Sequence, residues 1–106
     1  MGSDDESPVA IDEIIEQADD AFDKGEFSSA SAGWEAAFNA DEIQGDPELK
    51  KDLAWNIGLS EALQNNVERS QWYFTASGYG REHFQAQGID EVYTQIMLAG
   101  QDTGQN

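Results

Sequence analysis

One pattern of small and large side chains is written twice in this chain, forty residues apart. The first copy runs over 14–38 and the second over 54–78. Ala18 answers to Gly58, Phe22 to Ala62, Phe27 to Val67, Ala30 to Ser70 and Trp34 to Phe74. Small residues recur where two helices must approach closely, and large apolar ones recur where the space between them must be filled. A repeat of this size predicts stacked helical hairpins, none of which can bury its apolar face alone. At 106 residues the chain is expected to form one domain.

The rest of the chain agrees with an all-α fold of five helices, or six if the stretch after Gly80 forms its own. The acidic stretch 1–6 has the composition of a disordered segment. Ser7-Pro8 reads as an N-cap followed by proline at the first helical position. Ile11, Ile14, Ile15, Ala18, Ala21 and Phe22 follow at helical spacing, up to Lys24 and a stop at Gly25. Ser28 or Ser29 is the expected cap of a second helix carrying Ala30, Trp34, Ala37 and Phe38. The pattern breaks over 42–45, and Asp46-Pro47 restarts it for a third helix carrying Leu49, Leu53, Ile57, Ala62 and Leu63. Asn65-Asn66 turns the chain, because asparagine tolerates left-handed backbone. A fourth helix from about Val67 holds Trp72, Tyr73, Phe74 and Ala76. These adjacent aromatics diverge by about 100° each, so they cannot all face inward. Gly78-Tyr79-Gly80 interrupts that helix, Gly88 breaks the chain again, and 90–99 predicts a short last helix with Val92, Ile96 and Met97 inward. No strand-like alternation occurs.

The run Ile14…Ala18…Ala21-Phe22…Gly25-Glu26-Phe27…Ala30…Trp34…Ala37 resembles the tetratricopeptide repeat family. Trp55-Asn56-Ile57-Gly58…Ala62…Asn66-Val67…Ser70…Phe74 is similar to a second, degenerate copy. The resemblance implies repeat one at about 8–41, repeat two at about 47–80 and a capping helix at about 89–99, within a domain spanning 7–100 and followed by a polar tail at 101–106. Two departures stand out. About six extra residues sit in the 41–49 connection relative to the family's 34-residue unit. The second copy also has Ser77-Gly78 where alanine and an apolar residue are usual. Because about three repeats are normally needed for a stable stack, the last helix must cap it or the chain must form a homodimer.

Charge narrows the partners. The net charge is −17, and residues 1–48 carry fifteen carboxylates against one base, Lys24, a net −14. Phosphates and anionic membrane surfaces would meet a field of their own sign, so neither nucleic acid nor membrane is expected as a direct partner. Two uses of the acidity stand: solubility or salt adaptation, and steering of a basic partner. There is no cysteine, no apolar run long enough to span a bilayer and no basic start of a secretory signal, which makes cytoplasmic residence the expectation.

By the resemblance, the first helix of each pair lines the partner-binding surface. That face comprises Asp12, Ile15, Glu16, Asp19, Phe22 and Asp23 on the first helix, and Asp52, Trp55, Asn56, Leu59 and Leu63 on the third; for Phe22, Trp55, Leu59 and Leu63 a place in the core is the open alternative. Chaperone-binding members of the family place bases there to clamp a terminal carboxylate; this chain has no matching bases. A basic amphipathic helix or an extended basic-apolar segment of another protein is the better complement. The alternative of a different class is an acidic immunity or antitoxin-type inhibitor, or a nucleic-acid mimic, that blocks a basic groove. Chemistry is not expected. The one histidine, His83, lies between Glu82 and Phe84 near a helix end, a place more often structural or solvated than catalytic, and Asp19, Asp20 and Asp23 lie on a helix, without the ligand spacing of a calcium loop. No cofactor or metal is implied.

Overall fold

Apolar residues at three- and four-residue spacing dictate helices, and three tight turns dictate how those helices pair. The computed structural model describes residues 10–99. The expected Ser7-Pro8 start, the 1–6 segment, the end of the domain at 100 and the tail at 101–106 lie outside the described residues. Among the described residues every regular element is a helix: α1 (Ile11–Asp23), α2 (Phe27–Phe38), α3 (Asp41–Gln44), α4 (Pro47–Leu63), α5 (Val67–Ser77), α6 (Arg81–Ala86) and α7 (Asp90–Val92), which continues as a π-helical turn over Tyr93–Met97. α1 packs on α2, α2 on α4 and α4 on α5, and the π-helical turn closes against α5.

The turns between α1 and α2 and between α4 and α5 match bond for bond at the forty-residue offset. Glu26 N–H donates to the Ala21 carbonyl at 2.8 Å, and Asn66 N–H donates to Glu61 at 2.9 Å. Gly25 and Asn65 donate to Phe22 and Ala62, both at 3.0 Å. Both turn residues take the left-handed backbone, at φ 82° and 68°. The connection between α6 and α7 repeats the same turn: Gly88 sits at φ 77°, and Ile89 N–H donates to Phe84 at 2.9 Å. This third copy sits outside the region where the sequence pattern repeats.

Several element boundaries differ from those expected. α2 begins at Phe27, not after a Ser28 or Ser29 cap, because the left-handed Gly25 reverses the chain within one residue and Glu26 already accepts from Ala30 N–H at 3.0 Å. The 41–49 connection is not a simple break. Ile43, 3% exposed, pins α3 into the core, and Gln44 Nε2 donates to the carbonyls of Phe38 and Ala40. Arg81–Ala86 is a separate helix, since Gly78 at φ 77° ends α5 in the left-handed region. With α3 included, there are seven helices among the described residues, against the five or six expected. The last helix runs from Asp90 to Met97, and its π turn is marked by Leu98 N–H bonding back to Tyr93 O at 3.3 Å. The Asp46-Pro47 start forms as read: proline opens α4 and the Asp46 carboxylate accepts from Leu49 N–H at 3.2 Å.

Two apolar clusters fill the interior. The first joins Ala18, Ala30, Trp34, Leu53, Ile57 and Tyr73 with their neighbours; the second joins Trp55, Phe74, Phe84 and Ile96. Full burial of side chains such as Phe74, Phe84 and Leu53 contributes about 1.5–3 kcal/mol each. Trp34 and Phe74, the paired large residues of the repeat, are 3% and 1% exposed. The paired small residues are what let the helices touch. A Cβ at Gly58 would lie 2.7 Å from the Phe74 ring, and one at Gly33 would lie 3.0 Å from Ala18 Cβ. With α4 so near, Ser70 Oγ donates to the Gly58 carbonyl at 2.7 Å, which accounts for serine where the first copy has Ala30. Of the adjacent aromatics on α5, Tyr73 and Phe74 are buried and Trp72 is exposed, its ring in T-shaped contact with those of Phe38 and Tyr73.

Gly58→Ala is expected to lower stability by about 1–3 kcal/mol through overpacking, although alanine is the better helix former by about 1 kcal/mol. Chemical denaturation checks it; a gain in stability would show that α4 and α5 are not held at this separation. Arg81 bridges to Asp90 with two bonds, 2.8 and 3.1 Å, tying α6 to α7. That pairing holds the Asp90 carboxyl below its ordinary range. The unfolded chain therefore binds more protons at this site, so the contribution is present above the ordinary carboxylate range and is lost as pH falls through the lowered value. The Tm difference between the parent and Asp90→Asn, scanned from about pH 7 to about pH 2, is expected to shrink toward zero in acid.

Candidate interaction groove

Helical spacing sets Asp12, Ile15, Glu16, Asp19, Phe22 and Asp23 along one face of α1. The same rule sets Asp52, Trp55, Asn56, Leu59 and Leu63 along one face of α4. Between α1 and α4 lies a cavity of about 340 Å³ lined by Asp19, Phe22, Asp23, Trp34, Asn56 and Leu59. A second, of about 470 Å³, lies between α4 and the C-terminal helix; Leu59, Ala62, Leu63 and Val67 face Ile89 and Val92 across it. Phe22 and Leu59 line both cavities, so the two form one groove running across α4.

The structure thus brings together Asp19, Asp23, Trp55, Asn56, Leu59 and Leu63 of the residues singled out from sequence. The others do not line the groove. Asp12 and Glu16 are exposed earlier on α1, Ile15 is half-buried against the first cluster, and Asp52 accepts a 2.9 Å bond from the Tyr79 hydroxyl. Trp55 takes the core alternative. It is 7% exposed, with its ring 4.6 Å from Phe84, 5.1 Å from Phe74 and 4.4 Å from His83, so it forms the floor of the groove and cannot be a protruding anchor. Asp19 also has a structural duty: its carboxylate accepts a 3.1 Å bond from the buried indole N–H of Trp34. Sequence reasoning missed the far wall, Ile89, Val92, Gln95 and Ile96, by treating the last helix only as a cap. The available signal was the three- and four-residue spacing of Ile89, Val92 and Ile96 directly after Gly88.

Charge is divided between the faces. Each base of the second half sits over an aromatic ring: Lys50 over Phe38, Lys51 over Tyr79, Arg69 over Tyr73 and Arg81 over Tyr93. Arg69 also pairs with Glu35 and with the buried Glu61, and Arg81 pairs with Asp90. Among the described residues no ion pair reaches Asp12, Glu13, Glu16, Asp19, Asp20 or Asp23 on α1. The α1 wall, through Asp19 and Asp23, is therefore anionic without a paired base beside an apolar floor, and the remaining acids extend that charge along α1 away from the groove. Leu63, at 57% exposed, is a large apolar side chain left open on the groove.

His83 stacks on Tyr79 with ring centroids 4.0 Å apart, which serves packing. Among the described residues no group of three histidine, aspartate or glutamate side chains is placed to hold a metal ion. No helix among them is long and apolar enough to cross a membrane. Comparison with known protein families, curated proteins and solved structures finds no match.

Asp19→Ala is expected to destabilise the fold by about 1–3 kcal/mol, because the Trp34 N–H would be left buried without an acceptor. Asp19→Asn retains an acceptor oxygen and is expected to cost less than half as much. Urea denaturation of both variants measures the difference.

Proposed function

We propose that this chain is a non-enzymatic protein-interaction module, a short stack of tetratricopeptide-like hairpins. In this reading its groove receives a basic or amphipathic segment of another protein. The observation that carries the reading is the union of an open apolar floor with an anionic wall. Leu59, Leu63 and Val92 offer burial, while Asp19 and Asp23 offer charge that is ion-paired with no base among the described residues. A cationic partner is attracted at long range by the wall and held at short range by the floor. The hairpin reading is supported by the matched turns at Gly25, Asn65 and Gly88, and by the alternation of small and large residues across each pair.

The unpaired carboxylates of α1 also favour a second reading, an acidic inhibitor or nucleic-acid mimic occupying a basic groove. Under that reading the apolar cavities have no role, which is why the first is preferred. A homodimer through this face would set two anionic walls against each other.

Asp23→Lys and Leu63→Ala probe the groove without touching the buried core, since both side chains are exposed. Each is expected to weaken capture of a natural partner by about 5- to 30-fold while leaving Tm within a few degrees of the parent. Calorimetric titration checks this. Unchanged affinity in both variants would reject the surface, and a loss with Asp23→Lys alone, together with tight, salt-sensitive nuclease binding, would favour the inhibitor.

A further inference from the structure

We infer that the outer face of α5 is a second, self-complementary interface, on which another copy of this chain docks about a two-fold axis. In this arrangement Trp72 of each copy seats over Thr75 and Ala76 of the other. None of the residues on this face lines the groove between α1, α4 and the C-terminal helix, so the inference stands apart from the reading of that groove.

Two observations carry it, and the first is shape. Trp72 is 60% exposed, and T-shaped contact with the Phe38 and Tyr73 rings fixes where its indole stands. One turn further along α5, Thr75 and Ala76 are short and exposed, and they border an open hollow of about 480 Å³ beside that indole. A knob and a hollow thus lie side by side on one helix face. A two-fold axis between them places each knob in the other copy's hollow, which is the condition for an isologous contact. An unrelated partner would have to supply both shapes in the right order; a second copy carries them already.

The second observation is charge. Residues 65–89 hold Glu68 and Glu82 against Arg69 and Arg81, a net of zero, in a chain whose total is −17. The exposed face of α5 is therefore where two such anionic chains meet with least repulsion. The chain's own tail, 101–106, has no large apolar side chain to fill the hollow. At 11 residues α5 is only about 16 Å long, so the contact falls short of the roughly 1,200 Å² of a tight complex. The dimer is accordingly weak, with a Kd of about 10–300 μM. Salt screens the remaining long-range repulsion and leaves the apolar contact intact, so added salt strengthens the dimer, opposite in sign to capture of a basic segment. Pairing through α5 leaves both grooves free, and a partner with two binding segments would gain avidity.

Sedimentation equilibrium of the intact chain from about 10 μM to about 1 mM, at about 0.02 M and about 0.5 M salt, tests this. The parent is expected to dimerise, with a Kd at least about threefold lower at the higher salt. Trp72→Ala is expected to raise Kd about tenfold or more by removing the knob. Ala76→Gln fills the hollow without changing charge and is expected to raise it about fivefold or more. Position 76 is exposed and glutamine is a good helix former, so that variant folds as the parent does. Leu63→Ala, in the groove, is expected to leave the dimer unchanged. A parent that stays monomeric throughout, a dimer that neither α5 variant weakens, or one that salt dissociates overturns the inference and leaves the groove reading as it stands. A monomeric parent whose natural partner is lost with Trp72→Ala overturns it in favour of a different protein on this face. A dimer dissociated by Leu63→Ala also overturns it, and assigns the groove to the second copy.

Discussion

The approach of α4 to α5 at Gly58 is the contact on which the remaining architecture depends. With no side chain at Gly58, the Phe74 ring comes close against α4 and Ser70 reaches the buried Gly58 carbonyl. Phe74 in turn meets Trp55 and Phe84, with ring centroids 5.1 and 4.8 Å away, which fixes where α6 rests. Only then does the C-terminal helix stand opposite α4 at the distance that opens the larger cavity. A methyl group at one position would thus be felt three helices away, because interiors this dense transmit displacement instead of absorbing it.

The same sequence economy governs charge. With five bases against twenty-two acids, placement of each cation decides which carboxylates stay exposed to the solvent field. Arg69 is spent on Glu35 and on Glu61, whose side chain is 4% exposed and would be costly to leave alone. Arg81 is committed to the link between α6 and α7. What is left over is a helix, α1, whose charged side chains are all carboxylates and which borders the groove.

How much of this could be read from the sequence follows from how local each determinant is. Helices and their main apolar faces were legible because periodicity is a local property, and the Asp46-Pro47 start was legible because a cap is a local motif. The paired residues Ala18 and Gly58, Trp34 and Phe74 were legible through their repetition. The Phe27 start of α2 was not, since it depends on the left-handed turn and not on the serines that follow. α3 escaped because four residues are too few to show a period, and its anchor, Ile43, acts by tertiary burial. Of the groove, the α1 and α4 walls were legible from the face each helix must present. The burial of Trp55, the bond from Trp34 to Asp19 and the wall formed by Ile89 and Val92 all depend on contacts between distant segments, to which one-dimensional spacing is blind.

α4 is shared by both apolar clusters: Leu53, Ala54 and Ile57 belong to one and Trp55 to the other. α5 is shared as well, through Tyr73 and Phe74. The two ends of the domain consequently meet through the α4–α5 pair, the outer helices at either end can open independently, and amide exchange should be slowest along α4 and α5 and quicken outward. A ligand lying across α4 from α1 to the C-terminal helix would clasp both ends at once. Occupancy would then be felt as loss of independent breathing, turning two loosely coupled halves into one cooperative body.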